Sequence, residues 1–197
     1  MTSVYVDLSK LHIPVHSFSE RKVNFAVLKK KNMLSFEQAR DIAEKHLDIP
    51  RNSGDKYDII IIEKYIIERP YAWIFPYNTK GAIEGDILYA LGGNSPVFVD
   101  RHDGTISRFP SYLSMEGMID VYEEQRKSWH LKLTINIYSE ISKLLTLKRL
   151  LNLSQNELAV LKAKEEAVLD KGAQTRLKQL SGILSQHGIN TEVLLAD

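Results

Sequence analysis

LGGNSPVFVDRHDGTISRFPSY, residues 91–112, decides how the middle of this chain is read. A glycine loop binds phosphate when it lies between a strand and a helix N-terminus, where backbone N–H groups and the helix dipole face the anion. Here Gly92-Gly93 leads into Pro96 and a strand-like run, so the context is wrong for phosphate. His102 stands near Asp100 and Asp103, which raises the question of a metal or a general base. Neighbours along a strand point to opposite faces, however, and Asp103 belongs to the turn. The other histidines, His12, His16, His46, His130 and His187, show no ligand spacing, so no metal site is expected. Asp103-Gly104 between two alternating runs is a strong two-residue turn signal. The stretch therefore reads as a hairpin, residues 95–101 against 105–109.

Working outward, Ser35 with Gln38 three residues on forms a capping signature, and Phe36, Ala39, Ile42, Ala43 and Leu47 follow at helical spacing, predicting a helix over about 35–48. YDIIIIEKYIIERP (57–70) and YAWIFPYN (71–78) are rich in β-branched and aromatic residues and predict two long strands. A polar loop is expected over 81–86. Ser114 caps a helix whose Met115, Met118, Ile119, Tyr122 and Trp129 form an apolar face, with Glu116, Asp120, Glu123 and Glu124 directed away from it. From Trp129 the predicted order is β-α-α-β-α-β. Leu177, Leu180, Ile183 and Leu184 lie on one face of its last helix, and Gly188 closes it. The fold class is α+β, an antiparallel sheet with flanking helices followed by a small β-α-α-β-α-β domain. The expected divisions are an N-terminal segment, 1–33, ending in the basic run Lys29–Asn32, then 34–128 and 129–197.

Composition narrows the function. With no cysteine, disulfides, thiolate metal sites and a cysteine nucleophile are all excluded. The opening residues lack a basic segment before a long apolar core, and the longest apolar run, Ile59–Ile62, falls far short of the roughly 20 residues that cross a bilayer. A cytoplasmic protein without membrane contact is expected. The net charge of +1 is uneven: residues 1–33 hold +4, 34–128 hold −5 and 129–197 hold +2. An acidic middle argues against direct nucleic-acid binding and suits a basic partner. No nucleophile elbow or kinase motif is present, so no enzyme and no cofactor are expected.

Trp73 and Phe75 in an aromatic strand, Gly93 and Pro96 in a loop, Val99-Asp100 after it, the turn Gly104, and Tyr122 in the following helix together resemble the immunity-protein-35 (YrhB-like) family over about 34–128. That resemblance implies protection of a bacterium from a cognate protein toxin by binding it. The final segment resembles the C-terminal domain of the ribosomal stalk protein L7/L12 in element order and in its closing strand-helix-strand pattern. It departs at LNLSQNEL, where Asn152 replaces a glycine and Ser154 and Glu157 stand near positions expected to hold lysines.

The reading is an immunity protein that occludes a toxin with a basic binding surface. Its candidate toxin contacts are the carboxylates Glu84, Asp86, Glu116, Asp120, Glu123 and Glu124. The alternative is a translation-associated protein that meets ribosomal or elongation-factor partners through its C-terminal domain, with Lys143, Lys148 and Arg149 as the residues to test.

Overall fold

The computed structural model describes residues 33–49, 54–163 and 167–196. The expected N-terminal segment and its basic run lie outside these residues, apart from Met33.

Helix α1 (Phe36–His46) starts where the capping signature places it. Ser35 Oγ accepts from Gln38 N at 3.3 Å, and Gln38 Oε1 accepts from Ser35 N at 2.9 Å. The two long strands expected over 57–78 are each broken. The first becomes β1 (Ile59–Ile61), a 3-10 turn over Glu63–Tyr65, and β2 (Ile67–Glu68); the second becomes β3 (Ala72–Phe75) and β4 (Tyr77–Thr79). Proline explains the second break, because Pro76 has no N–H for a ladder and only its carbonyl is used, by Ile62 N at 2.8 Å. The polar turn Glu63–Tyr65 sits opposite this break, so β1 pairs with β4 while β2 pairs with β3.

Strand β5 (Val97–Asp100) pairs antiparallel with β3, and β6 (Ile106–Ser107) pairs with β5, giving the order β2-β3-β5-β6. The hairpin is present, but its loop spans four residues rather than two, closed by Asp100 N to Thr105 O at 2.9 Å. The Asp100 carboxylate drives the difference, accepting from His102 N at 2.7 Å and Asp103 N at 3.3 Å, while Gly104 takes a φ of +75°.

Alternation along β5 divides the core. Val97 and Val99 face Ala39 and Ala43 of α1, with Phe75 and Tyr77. Phe98 faces the other way, with Ile74, onto Met118, Ile119 and Tyr122 of α3 (Met115–Arg126). Both faces of the strand are covered, which explains an uninterrupted apolar run at Val97–Val99.

After α3, Lys127 takes a left-handed conformation (φ +52°) and the chain enters β7 (Trp129–Leu133). Then follow α4 (Ile141–Leu150), α5 (Gln155–Lys162), β8 (Val168–Gly172), α6 (Gln174–Gln186) and β9 (Thr191–Leu195), the β-α-α-β-α-β order in an antiparallel β8-β7-β9 sheet. Leu131, Ile137, Leu147, Leu177, Leu184 and Ile189 form its core. Ile183 is exposed: six residues on from Leu177, it has turned past the buried stripe. Trp129 belongs to β7 rather than to the α3 face, and it packs against both the α3 core and the C-terminal core. Met33–Asp197 forms one compact unit across the boundary expected at 129. None of the helices among the described residues is long and apolar enough to cross a membrane.

Candidate interaction surface

Between β4 and β5 the chain leaves the sheet, through the short helix α2 (Lys80–Ile83) and a 3-10 turn over Ile87–Tyr89. Thr79 staples the two ends: its Oγ1 accepts from Ala82 N at 3.3 Å and donates to Tyr89 O at 2.5 Å. Backbone bonds from Lys80 N to Asp58 O (2.8 Å) and from Gly81 N to Lys56 O (2.9 Å) fix the base of the excursion. Gly81 is buried under the Tyr89 ring, and a Cβ there would lie 2.7 Å from Tyr89 Cγ, so only glycine fits. Asp86 caps the 3-10 turn by accepting from Leu88 N at 3.2 Å, and Asn78 Oδ1 accepts from Leu91 N at 2.9 Å where the chain returns. Tyr57 meets Tyr89 edge-on at 4.8 Å between centroids.

This frame is tied by hydrogen bonds at its turns and yet presents apolar side chains to solvent. Ile87 is 83% exposed and Leu88 88%, and Ile83 and Tyr57 are also exposed. Burying a side chain of this size is worth roughly 1.5–3 kcal/mol, which folding leaves unused at both positions. The polar loop expected over 81–86 is instead part of an excursion whose tip, Ile87 and Leu88, is apolar. The available signal was DILYAL, an apolar run that belongs to no periodic element.

The six candidate carboxylates divide by role. Glu84 and Asp86 belong to the excursion, and their ion pairs are loose: Lys80–Glu84 at 3.9 Å and Lys56–Asp86 at 3.7 Å. Glu116 is exposed in the first turn of α3, and Asp120 is half-buried one turn on. Glu123 is not a surface residue. It is 3% exposed, accepts from the Tyr71 hydroxyl, and accepts from Gln174 N at 2.7 Å, because the helical turn that buries Ile119 and Tyr122 carries Glu123 inward with them. Glu124 is exposed but engaged, accepting from Ala173 N at 2.9 Å and from Arg176 Nε at 3.0 Å. The Arg176 bond first and the Ala173 N–H second hold its carboxyl below the usual range.

Asp100 is occupied as well: the Tyr122 hydroxyl donates to its Oδ2 at 2.7 Å, and Arg126 stands 3.5 Å away. Burial first and the facing carboxylate second push both Tyr71 and Tyr122 above the usual phenol range. Among the described residues no group of three His, Asp or Glu side chains is placed to hold a metal.

In the C-terminal part, Ile141, Leu145 and Arg149 are exposed along α4, and Lys143 pairs with Glu140 at 2.8 Å. Asn152, standing where the stalk-protein pattern has glycine, takes the left-handed conformation with φ +51°. No protein-family model matches the chain, and no curated protein or solved structure does so either.

Proposed function

We propose that this chain is an immunity protein, a cytoplasmic binder that neutralises a cognate bacterial toxin by covering it and does no bond-making of its own. One observation supports this reading above the others: the residues that carry the family resemblance lie together in space. Trp73 is paired with Val99 across β3 and β5, Phe75 and Val99 share the α1-side core, and Tyr122 donates to Asp100. They line both faces of the β2-β3-β5-β6 sheet, Trp73, Phe75 and Val99 on the α1 side and Asp100 with Tyr122 on the α3 side. The matched residues build the scaffold, and the binding surface lies elsewhere on it.

The test is a competition assay. Deleting the gene should make the bacterium sensitive to its own parent strain, and the full chain supplied in trans should restore survival. A deletion strain that competes equally with its parent would sink the proposal. A second reading, association with the translation apparatus, is favoured by the exposed Ile141 and Leu145 along α4, a helix whose last turn carries Lys148 and Arg149. Under that reading the chain sediments with ribosomes or retains elongation factors, and reversing Lys148 and Arg149 to glutamate releases it.

A further inference from the structure

We infer that Ile87 and Leu88 are the anchors with which this chain enters an apolar cleft on a basic protein partner, with Glu84 and Asp86 as the acidic rim. This rests on the toxin-binding reading and specifies where and with what chemistry binding occurs.

Three observations lead to it. With Tyr112, the two side chains are the most exposed of the large hydrophobic residues described, and they are adjacent. The segment that carries them is preorganised: the Thr79 staple, the Asp86 cap, the Tyr89 ring over Gly81 and the Asn78 bond to Leu91 each fix one part of it. A rigid presentation loses little conformational entropy on binding, which is how a few aliphatic anchors carry much of an interface's affinity. Finally, the rim carboxylates sit in loose pairs at 3.7 and 3.9 Å, against roughly 2.7–2.9 Å for a charge-assisted hydrogen bond. A partner's Lys or Arg can improve on both pairs without breaking a tight one.

Charge chooses among occupants. The part of the chain that carries the excursion holds a −5 excess over 34–128. An anionic lipid surface attracts apolar anchors rimmed by an excess of lysine and arginine, whereas here Lys56 and Lys80 are each matched by a carboxylate and leave no net positive charge. A second copy meeting it through the same patch would set this −5 part against its own like. A basic protein surface is the occupant that complements both the apolar tip and the rim.

The experiment extends the competition assay with the full chain. Ile87→Ser/Leu88→Ser and, separately, Glu84→Lys are supplied to the deletion strain beside the unaltered chain. Their thermal midpoints should match the unaltered chain, since these side chains are in solvent. The double serine variant should lose protection on the order of 100-fold, as expected for two anchors. Glu84→Lys should lose about 10-fold, with the deficit growing at low ionic strength. Protection by the double variant equal to that of the unaltered chain overturns this inference and leaves the toxin-binding reading standing. A deletion strain that was never sensitive removes both. Vesicles of phosphatidylglycerol and phosphatidylethanolamine, and light scattering of the purified chain, test the other occupants. Lipid binding or dimerisation abolished by the same serine pair would also overturn it.

Discussion

Glu123 Oε2 accepts a hydrogen bond from Gln174 N at 2.7 Å, so a side chain on α3 caps a helix that begins 51 residues later. Helix α6 needs this help. Its N-cap position is Ala173, which has no side-chain acceptor, and its first N–H groups have no intrahelical partner. Glu124 supplies the second acceptor, to Ala173 N at 2.9 Å, and two carboxylates at a helix N-terminus also oppose the positive end of its dipole. Glu123 simultaneously accepts from Tyr71. One buried carboxylate thus ties the start of β3, helix α3 and helix α6 together. Glu123→Ala would strand a buried hydroxyl and a helix N–H, at a cost of about 2–4 kcal/mol. Urea denaturation should show that loss within a single transition. Two separated transitions in the unaltered chain would show that the cap does not couple the two parts.

Two glycines on either side of this junction should respond in opposite directions to alanine. Gly172 has φ +152°, and a Cβ there would fall 2.2 Å from Glu124 Oε2 and 2.5 Å from Arg176 Nη2. Gly172→Ala therefore combines backbone strain with displacement of the ion pair, and a loss of about 2 kcal/mol is expected. Gly182 lies inside α6 with nothing within 4 Å of the added carbon. Gly182→Ala should stabilise by about 0.5–1 kcal/mol through helix propensity. Thermal unfolding of the pair checks both signs.

Stability should fall at both pH extremes for separate reasons. Glu124 has its folded pKa depressed, chiefly by Arg176, so its contribution is present above the unfolded value of about 4.3 and is lost as pH falls through the folded one. The pair is partly exposed, so the effect is small and screened by salt. Glu124→Gln should flatten part of the acid limb, and added salt should reduce the difference. Tyr71 and Tyr122 are shifted the other way, chiefly by burial, which favours their neutral forms. Their contribution is complete below about pH 10, the unfolded value, and is lost as pH rises beyond it. Phenolate absorbance should show these two tyrosines ionising only as the fold opens; two early titrations at exposed-phenol pKa would refute the assignment.

Local signals were legible in the sequence where a rule acts within a few residues. The Ser35–Gln38 capping box and the Leu177–Leu184 stripe of α6, Ile183 apart, depend on neighbours a few positions away, whereas the Asp103-Gly104 signal marks the hairpin but not its four-residue loop. What was not legible depends on contacts across the fold. Glu123 belongs by spacing to the same polar set as Glu116 and Asp120, and only its partners Tyr71 and Gln174, both about 50 residues away in sequence, reveal it as internal. The strands expected over 57–78 exceed the real ones because β-branched composition favours extension along the whole stretch, while Pro76 interrupts the ladder. Ile87 and Leu88 went unseen because an exposed apolar pair on a turn leaves no periodic trace.

Gly81 offers a way to dismantle the excursion without touching its exposed tip. Alanine there would put a carbon 2.7 Å from Tyr89 Cγ and 2.9 Å from Tyr89 Cβ, and the second of these moves only with the backbone. Tyr89 must then shift, which pulls on its carbonyl bond from Thr79 and on its own N–H bond to Asp86 O at 3.1 Å. The core layers do not pass through this segment, so Gly81→Ala should leave the global unfolding transition nearly in place. Hydrogen exchange at the amides of Asp86, Tyr89 and Leu91 should accelerate, since their acceptors are Gly81 O, Asp86 O and Asn78 Oδ1. Protection against the parent strain should drop even though Ile87 and Leu88 are both present, because anchors that have lost their frame regain entropy that binding must remove. Faster exchange with undiminished protection would mean that presentation, as distinct from the side chains, contributes nothing.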